Sequence, residues 1–263
     1  KGYSITMDLI IPAGGIPKPG EPLYEFTQER PKALLDVAGK PMIQWVLDAV
    51  SNAKSVGRVV VVGLNGDVTL SCEKPLTILP NQNSMVGNIR AGAKHILEMD
   101  PAADVVMTAS SDIPLVTGEM FDWFIEQAQA TRRQFYIAMV SRQDMEARFP
   151  GVKRRSNRIK ELELRGGDIS IIDPQIILQS GSAADRLSLA RGNVFKQLAF
   201  VGFDTLFLLL LRLLDLEAFV RRLGKRHGVD WAPILCPYPE IAMDIDSPPH
   251  LELLCSELSK RGS

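Results

Sequence analysis

The feature that most constrains this chain is the alternation of short apolar segments with segments of helical periodicity in its first half. Residues 8–12, 58–62 and 104–108 are apolar runs rich in Val, Ile or Leu. Between them, residues 41–53 and 84–99 repeat apolar side chains every three or four positions, which predicts amphipathic helices. Strands that alternate with helices form βαβ units around a mainly parallel sheet. We therefore predict an α/β fold of three layers, with helices on both faces of a mixed, mostly parallel sheet.

The second half of the chain is less regular. Residues 142–158 are charged and are predicted to be exposed. No linker or internal repeat divides the chain, so we expect a single domain over residues 1–263 with a less regular region at about 141–235. The remaining predicted elements are strands at 76–79 and 135–140, a helix at 117–130 with Thr117 as N-cap, a hairpin of strands 159–164 and 169–172, a helical stretch at 183–224, strands at 234–238 and 241–245, and a last helix from Ser247.

Composition excludes several classes of protein. Apolar residues make up 46% of the chain and the net charge is −1, which excludes disorder as the main state. The 30 basic and 31 acidic residues nearly cancel, so no broad basic face for nucleic acid is expected. The most apolar run, residues 203–214, is interrupted by charges and is shorter than the ~20 residues of a membrane span. Three isolated cysteines and no visible leader predict a reduced, cytoplasmic protein.

A glycine pair directly follows the first predicted strand. Ala13, Gly14 and Gly15 form a loop in which backbone N–H groups are able to approach and cradle phosphate groups. Lys32 lies on a second arm that is long enough to fold back over this loop, where its ammonium would offset negative charge on a phosphoryl group. The alternative is an ordinary turn followed by a surface lysine.

Carboxylates mark two further positions. Asp112 follows the strand predicted at 104–108, and the carboxyl end of such a strand suits a residue that holds a hard cation against phosphate oxygens. The alternative for Asp112 is a turn that leads into Pro114. Asp244 and Asp246 are separated by one residue, so they share a face if the segment is a strand. We interpret Asp244 as a solvated or capping carboxylate.

The segment from Pro31 to Pro41 carries a resemblance to a known family. It reads Pro-Lys-Ala-Leu-Leu-Asp-Val-Ala-Gly-Lys-Pro, and it follows the Ala-Gly-Gly of the first loop. Together these motifs resemble the nucleotidyltransferases with a GT-A-like fold, namely the sugar-phosphate nucleotidyltransferases and the MobA-like group. The resemblance implies Mg²⁺-dependent transfer of NMP from an NTP to a small-molecule acceptor, expected to be phosphorylated, with release of pyrophosphate.

The resemblance also implies roles for individual residues. Lys32 would neutralise phosphate charge, and Asp112 and Asp246 would bind Mg²⁺. Ala13, Gly14 and Gly15 would contact the nucleotide. The family usually has a run of small residues and an arginine after the first glycines. This chain has Ile16-Pro17-Lys18-Pro19-Gly20, so Lys18 or Arg30 would supply the missing charge.

Two weaker segments also match the family. Asn83, Ser84 and Asn88 resemble the segment that contacts the nucleoside base, although Asn and Ser equally cap helices. Gly167 and Asp168 lie in an Arg-Gly-Gly-Asp sequence that resembles the acceptor-side loop of MobA-like proteins, and a simple hairpin turn is the alternative.

Two other functions are consistent with parts of the sequence. A GT-A glycosyltransferase would use a nucleotide sugar, but its Asp-x-Asp metal motif typically lies at mid-chain, whereas Asp244-Ile245-Asp246 is near the end of this chain. A nucleotide-binding relative that has lost turnover would fit the altered loop at residues 16–20. Pyrophosphate release distinguishes these three functions.

Overall fold

The strands form one large sheet and a small hairpin. A computed structural model of the chain describes residues 6–65, 68–152, 154–179 and 201–261. The strands are β1 (Met7–Pro12), β2 (Asp36–Val37), β3 (Lys40–Pro41), β4 (Val56–Val62), β5 (Leu76–Leu79), β6 (Val106–Ala109), β7 (Phe135–Ser141), β8 (Asn157–Ile159), β9 (Leu162–Ile172) and β10 (Trp231–Leu235).

The main sheet has the strand order β10-β7-β9-β6-β1-β4-β5, with β8 paired to β9. Its neighbours pair in parallel except where β9 is inserted between β6 and β7, and β9 runs antiparallel to both. This confirms the predicted mixed, mostly parallel sheet. Because β1 and β6 are parallel neighbours, their carboxyl ends lie side by side at one edge, where ligands bind in sheets of this kind.

Helices pack on both faces of this sheet. In β1, Leu9 and Ile11 join a cluster with α2, α4 and α9, whereas Ile10 points the other way and packs with α3 and α6. A strand covered on both faces has no polar side, which explains the apolar stretches at residues 9–12 of β1 and 59–62 of β4. The α-helices are α1 (Tyr24–Thr27), α2 (Met42–Ser51), α3 (Met85–Met99), α4 (Gly118–Gln129), α5 (Arg142–Arg148), α6 (Pro174–Leu178), α7 (Phe203–Leu210), α8 (Leu216–His227) and α9 (Pro248–Arg261).

Several expectations for the second half are wrong. Residues 165–168 do not form a hairpin turn, because β9 continues through them with an irregular register against β7. The turn lies instead between β8 and β9, where Lys160 has a φ of 52°. Residues 241–245 do not return to the sheet, since a short 3₁₀ helix (Pro239–Ala242) leads into a loop. The predicted helical stretch at 183–224 is confirmed only in α7 and α8, because residues 180–200 lie outside the described part.

Two smaller expectations are confirmed only in part. Thr117 is the N-cap of α4 by position, but its side chain makes no capping hydrogen bond. The charged stretch at 142–158 is not uniformly exposed, because the side chain of Arg154 is only 7% exposed. That residue is buried through ion pairs with carboxylates distant in sequence, which a local charge pattern does not reveal.

Candidate active site

Lys32 connects the glycine loop to two carboxylates. Its backbone N–H donates to the Gly15 carbonyl at 2.8 Å, so the second arm does fold back against the loop. Its Nζ donates to Asp112 Oδ2 at 2.6 Å and to Asp246 Oδ1 at 3.2 Å. Burial alone would lower the pKa of Lys32, but the charge and hydrogen bond of Asp112, aided by Asp246 and Asp244, raise it above its ordinary value. Lys32 is therefore a firmly protonated ammonium and not a general base.

Asp112 lies just beyond the carboxyl end of β6. The Ser110 hydroxyl donates to Asp112 Oδ1 at 2.5 Å, which orients the carboxylate. The carbonyl of Asp112 accepts from the Ile245 N–H at 3.0 Å, and Ile245 stands between Asp244 and Asp246. The backbone of one acidic segment therefore fixes the position of the other.

Three carboxylates converge at this point. Oxygens of Asp112, Asp244 and Asp246 lie within 4.8 Å of one another. The predicted proximity of Asp112 and Asp246 is confirmed, although a loop and not a regular strand carries Asp246. We call these three residues the acidic triad. Carboxylate oxygens grouped in this way are the donor set that hard cations such as Mg²⁺ prefer.

Two arginines that the sequence did not identify hold the acidic triad. The guanidinium of Arg154 pairs with Asp244 Oδ1 at 3.1 Å and Asp246 Oδ2 at 3.2 Å, and it also donates to the Asp244 carbonyl. Arg165 donates to Asp244 Oδ1 at 2.8 Å and to the Ala242 carbonyl at 3.0 Å. Carboxylates this close together would repel one another if they were unpaired. Lys32, Arg154 and Arg165 pair with them and balance the three negative charges.

Asp244 has a different place from the one expected. It is buried and paired with both arginines, so it is not a solvated or capping carboxylate. Burial raises its pKa, as do its contact with Asp246 and the charge of Asp112. Asp246 is half-exposed and faces Lys32 and Arg154. The two carboxylates therefore differ: Asp244 anchors the segment, and Asp246 is presented to solvent.

Asp168 lies beside the acidic triad on β9. Its backbone carbonyl accepts from the Ser110 N–H at 2.9 Å, next to the hydroxyl that orients Asp112. Its Oδ2 is buried and has no hydrogen-bond partner. Burial, together with the charges of Asp112 and Asp244, raises the pKa of Asp168 well above its usual range. Buried polar atoms normally have a hydrogen-bond partner, so the unpaired Oδ2 of Asp168 is an exception to that rule.

The glycine loop is held by an amide network. Asn81 Nδ2 donates to the Gly14 carbonyl at 3.0 Å, and a Cβ on Gly14 would lie 2.6 Å from that Asn81 side chain. Gly63 follows β4 with a φ of 118°, and a Cβ there would lie 2.3 Å from the Gly14 nitrogen. Gly63 was not predicted from the sequence, although a glycine directly after a strand was the available signal. Gly15 is exposed with open space around its Cα, and Ala13 is buried.

The three residues expected near the base have structural contacts. Ser84 caps α3 by accepting from the Gly87 N–H at 3.0 Å. Asn88 is buried, accepts from the Gln82 N–H at 2.7 Å and donates to Asn81 Oδ1 at 3.2 Å. Asn83 has a φ of 58° and donates its N–H to Asn81 Oδ1 at 2.9 Å. These contacts shape the loop beside Gly14, and the Asn83 side chain is exposed.

The remaining predicted residues show no described contact with the acidic triad. Lys18 is exposed, and its backbone N–H donates to Glu21 at 2.8 Å. Arg30 is also exposed. Gly167 is closely packed, since a Cβ there would lie 2.8 Å from Ile241 and 2.9 Å from Ala138. The absence of a side chain at Gly167 therefore lets β9 pack closely against Ala138 and Ile241. This is a packing role that its sequence motif did not reveal.

The chain matches a known protein family. The model of the MobA-like NTP transferase domain matches residues 26–186 of the 263. The chain belongs to this family. The matched residues include Lys32, Asp112 and Asp168, and the acidic segment of Asp244 and Asp246 lies beyond them.

Three individual proteins that resemble this chain are consistent with its family. A hypothetical transferase from Thermus thermophilus superposes with a TM-score of 0.79 at 28% identity, covering 94% of this chain and 99% of that one. A CMP:2-keto-3-deoxy-manno-octonic acid synthetase complexed with CTP superposes with a TM-score of 0.55 at 15% identity, over 97% and 99% of the two chains, and supports the fold. A 3-deoxy-manno-octulosonate cytidylyltransferase from Bdellovibrio bacteriovorus is 29% identical over 93 residues, which are 35% of this chain and 36% of that protein.

Two further findings concern the environment of this MobA-like chain. Among the described residues, no helix combines the length and the apolar character that crossing a bilayer requires. Cys72, Cys236 and Cys255 are all free thiols.

Proposed function

We propose that this protein transfers a nucleoside monophosphate from an NTP to a small-molecule acceptor and releases pyrophosphate. One observation carries this proposal: the Lys32 ammonium lies between Asp112 and Asp246 while its own backbone is bonded to the glycine loop. A glycine loop, a positive charge and a set of carboxylates thus meet at the carboxyl ends of β1 and β6. Family membership supports the same activity.

The reaction asks for positioning and charge neutralisation. An acceptor oxygen attacks the α-phosphorus of the NTP, a new P–O bond forms, and the bond to the β-phosphate oxygen breaks so that pyrophosphate leaves. Backbone N–H groups near Gly14 and Gly15 would hold the phosphates. Lys32 would stabilise the negative charge that shifts onto the leaving pyrophosphate, which is the main catalytic task in such transfers.

We infer that Asp112 and Asp246 hold a Mg²⁺ ion during this reaction. The residues fit such an ion, because the donors are carboxylates within reach of one another and Asp168 Oδ2 is a further buried oxygen without a partner. When bound, the ion would neutralise and orient the phosphate oxygens. Asp244 would contribute through its arginine pairs by fixing the segment that presents Asp246.

The substrates follow from the relatives and from the acceptor side of the site. The named relatives are a cytidylyltransferase and a synthetase with bound CTP, so CTP is the nucleotide to test first. Asn83, Ser84 and Asn88 would frame the base, and Lys18 or Arg30 would approach the triphosphate. Gly167 and Asp168 would lie on the acceptor side. The free cysteines favour a reducing compartment, and we propose the cytoplasm.

The direct test is a panel of four NTPs crossed with phosphorylated and hydroxylated acceptors, with Mg²⁺ or with EDTA. We expect pyrophosphate from at least one pair, and none when the metal is chelated. Release of a nucleoside diphosphate from a nucleotide sugar would support a glycosyltransferase instead. Nucleotide binding without pyrophosphate in any pair would support a relative without turnover.

A single variant then examines the residue that carries the proposal. Lys32→Ala is expected to slow transfer by ~10²-fold or more while the protein remains folded, because the ammonium proposed to stabilise the charge on the leaving pyrophosphate is gone. The matched control is Lys94→Ala, since Lys94 is an exposed lysine of α3 paired only at 3.8 Å with Glu98. Equal turnover in folded Lys32→Ala and Lys94→Ala proteins would remove Lys32 from the site.

A further inference from the structure

We propose that Lys32 is an exchangeable counter-ion that occupies the cation position of the acidic triad in the free protein, so that a divalent cation must displace it. This inference rests on the proposed function, because that function names Asp112 and Asp246 as the metal ligands. It adds a second state for Lys32, which would bind carboxylates in the free protein and phosphate during the reaction.

The contacts of Lys32 occupy the oxygens that a cation would need. Its Nζ lies 2.6 Å from Asp112 Oδ2 and 3.2 Å from Asp246 Oδ1, so one ammonium bridges the two carboxylates. A Mg²⁺ ion held by Asp112 and Asp246 would use carboxylate oxygens that the ammonium contacts in the free protein. Two cations that share these oxygens would repel, so the ammonium has to leave when the metal enters.

The three cations of the site differ in their freedom to leave. Arg154 is 7% exposed and bonds to the backbone carbonyl of Asp244 as well as to the carboxylates. Arg165 is likewise tied to the carbonyl of Ala242. The Lys32 side chain is 20% exposed, and its described bonds go only to carboxylate oxygens. Lysine also has a flexible four-carbon stem, which makes Lys32 the cation that moves.

The exchange couples the metal to the nucleotide. An NTP brings phosphate oxygens that give the displaced ammonium a new partner, so nucleotide binding lowers the cost of freeing Asp112 and Asp246. By linkage, each ligand then strengthens the binding of the other. The free protein is accordingly expected to bind divalent cations weakly.

A titration without nucleotide tests this inference. Mn²⁺ is added to the wild-type protein, to Lys32→Met and to Lys94→Met, and bound Mn²⁺ is followed by electron paramagnetic resonance. Lys32→Met is expected to bind Mn²⁺ at least ~10-fold more tightly than wild type, which is about 1.4 kcal/mol, because the competing cation is gone. Lys94→Met removes the same charge from the surface of α3 and is expected to match wild type.

The double variant Lys32→Met/Asp112→Asn locates the effect, since it is expected to lose the gained affinity. Mn²⁺ affinity in Lys32→Met that is equal to or weaker than wild type would overturn the inference. The same holds if Lys94→Met gains as much as Lys32→Met, because the effect would then come from net charge alone. The titration contains no NTP and no acceptor, so its outcome is separate from the pyrophosphate assay, whose failure would overturn only the proposed function.

Discussion

The loop after β1 and the segment that carries Asp244 and Asp246 both contact Lys32, but different interactions hold them in place. The loop extends the sheet: Ala13 N–H donates to the Val62 carbonyl at 2.7 Å, and Asn81 fixes Gly14. The acidic segment lies outside the sheet and is held by one backbone bond to Asp112 and by ion pairs to Arg165 on β9 and to Arg154 before β8.

The two regions differ in how far apart in the sequence their interacting residues lie. Backbone hydrogen bonds next to a strand position the loop, so neighbouring residues largely determine its shape. Ion pairs between residues distant in sequence position Asp244 and Asp246, and each pair involves a buried charge. Removing one partner of a buried pair leaves the other uncompensated, which costs far more than the pair itself contributes. The acidic segment is therefore expected to be the more fragile half of the site.

The largest effect is expected from the carboxylates themselves. Asp112→Asn and Asp246→Asn should each lower kcat/KM for pyrophosphate release by ~10²–10³-fold, because each would remove a carboxylate ligand of the Mg²⁺ ion that neutralises the phosphates. Glu98→Gln, an exposed carboxylate on α3, is the control and should behave like wild type. A folded Asp112→Asn or Asp246→Asn protein with more than a tenth of wild-type activity would contradict the assignment.

The next effect concerns stability of the acidic segment. Arg154→Met should lower the free energy of unfolding by about 3 kcal/mol, because it leaves the buried Asp244 short of one of its two arginines. Arg155→Met changes an exposed neighbour and should stay within about 0.5 kcal/mol of wild type. Denaturant unfolding of the two variants gives the comparison. Equal stabilities would mean that backbone contacts alone hold the segment.

Two glycine substitutions test how the loop after β1 is held in place. Gly63→Ala should cost about 1–3 kcal/mol, because its φ of 118° is strained for alanine and its Cβ would press on Gly14. Gly15→Ala meets no atom within 4 Å and should change stability by less than about 0.5 kcal/mol. Thermal unfolding measures both variants. Similar losses in the two would show that the loop is not held by the contact between Gly63 and Gly14.

The smallest effect depends on pH. The raised pKa of Asp168 means that its charge destabilises the folded state increasingly as pH rises above the unfolded value of ~3.9. Asp168→Asn removes this charge, so it should be more stable than wild type by about 1 kcal/mol at pH 8. The difference should shrink as pH falls and vanish near pH 3, where both side chains are neutral. A difference that stays constant from pH 8 to pH 3 would contradict the burial of a charged Asp168.

The sequence predicted most strands of the sheet and the residues that directly follow them at the site. Periodicity identified β1, β4 and β6, and the ends of those strands located Gly14, Gly15 and Asp112. The family resemblance supported Lys32 and added Asp246 as an expected metal ligand. These residues are recognisable because they directly follow predicted strands or lie in short sequence motifs.

The local sequence did not indicate that Arg154 and Arg165 form ion pairs with the acidic triad. A charged residue in a charged stretch looks solvated, and its burial depends on partners about 80–90 positions away. The same reason explains the mistaken hairpin at residues 165–168. The Gly-Gly pair there marks close packing of β9 against its neighbours, and glycine serves turns and tight packing equally well.

The most direct measurement of the central claim follows the phosphorus atoms of the NTP. Wild-type protein is incubated with Mg²⁺, acceptor and CTP labelled with ³²P at either the α- or the γ-position, and the products are separated. The account predicts that the α-label appears on the acceptor and that the γ-label appears only in pyrophosphate. A γ-label on the acceptor, or neither label on acceptor or pyrophosphate with any NTP and acceptor of the panel, would contradict it.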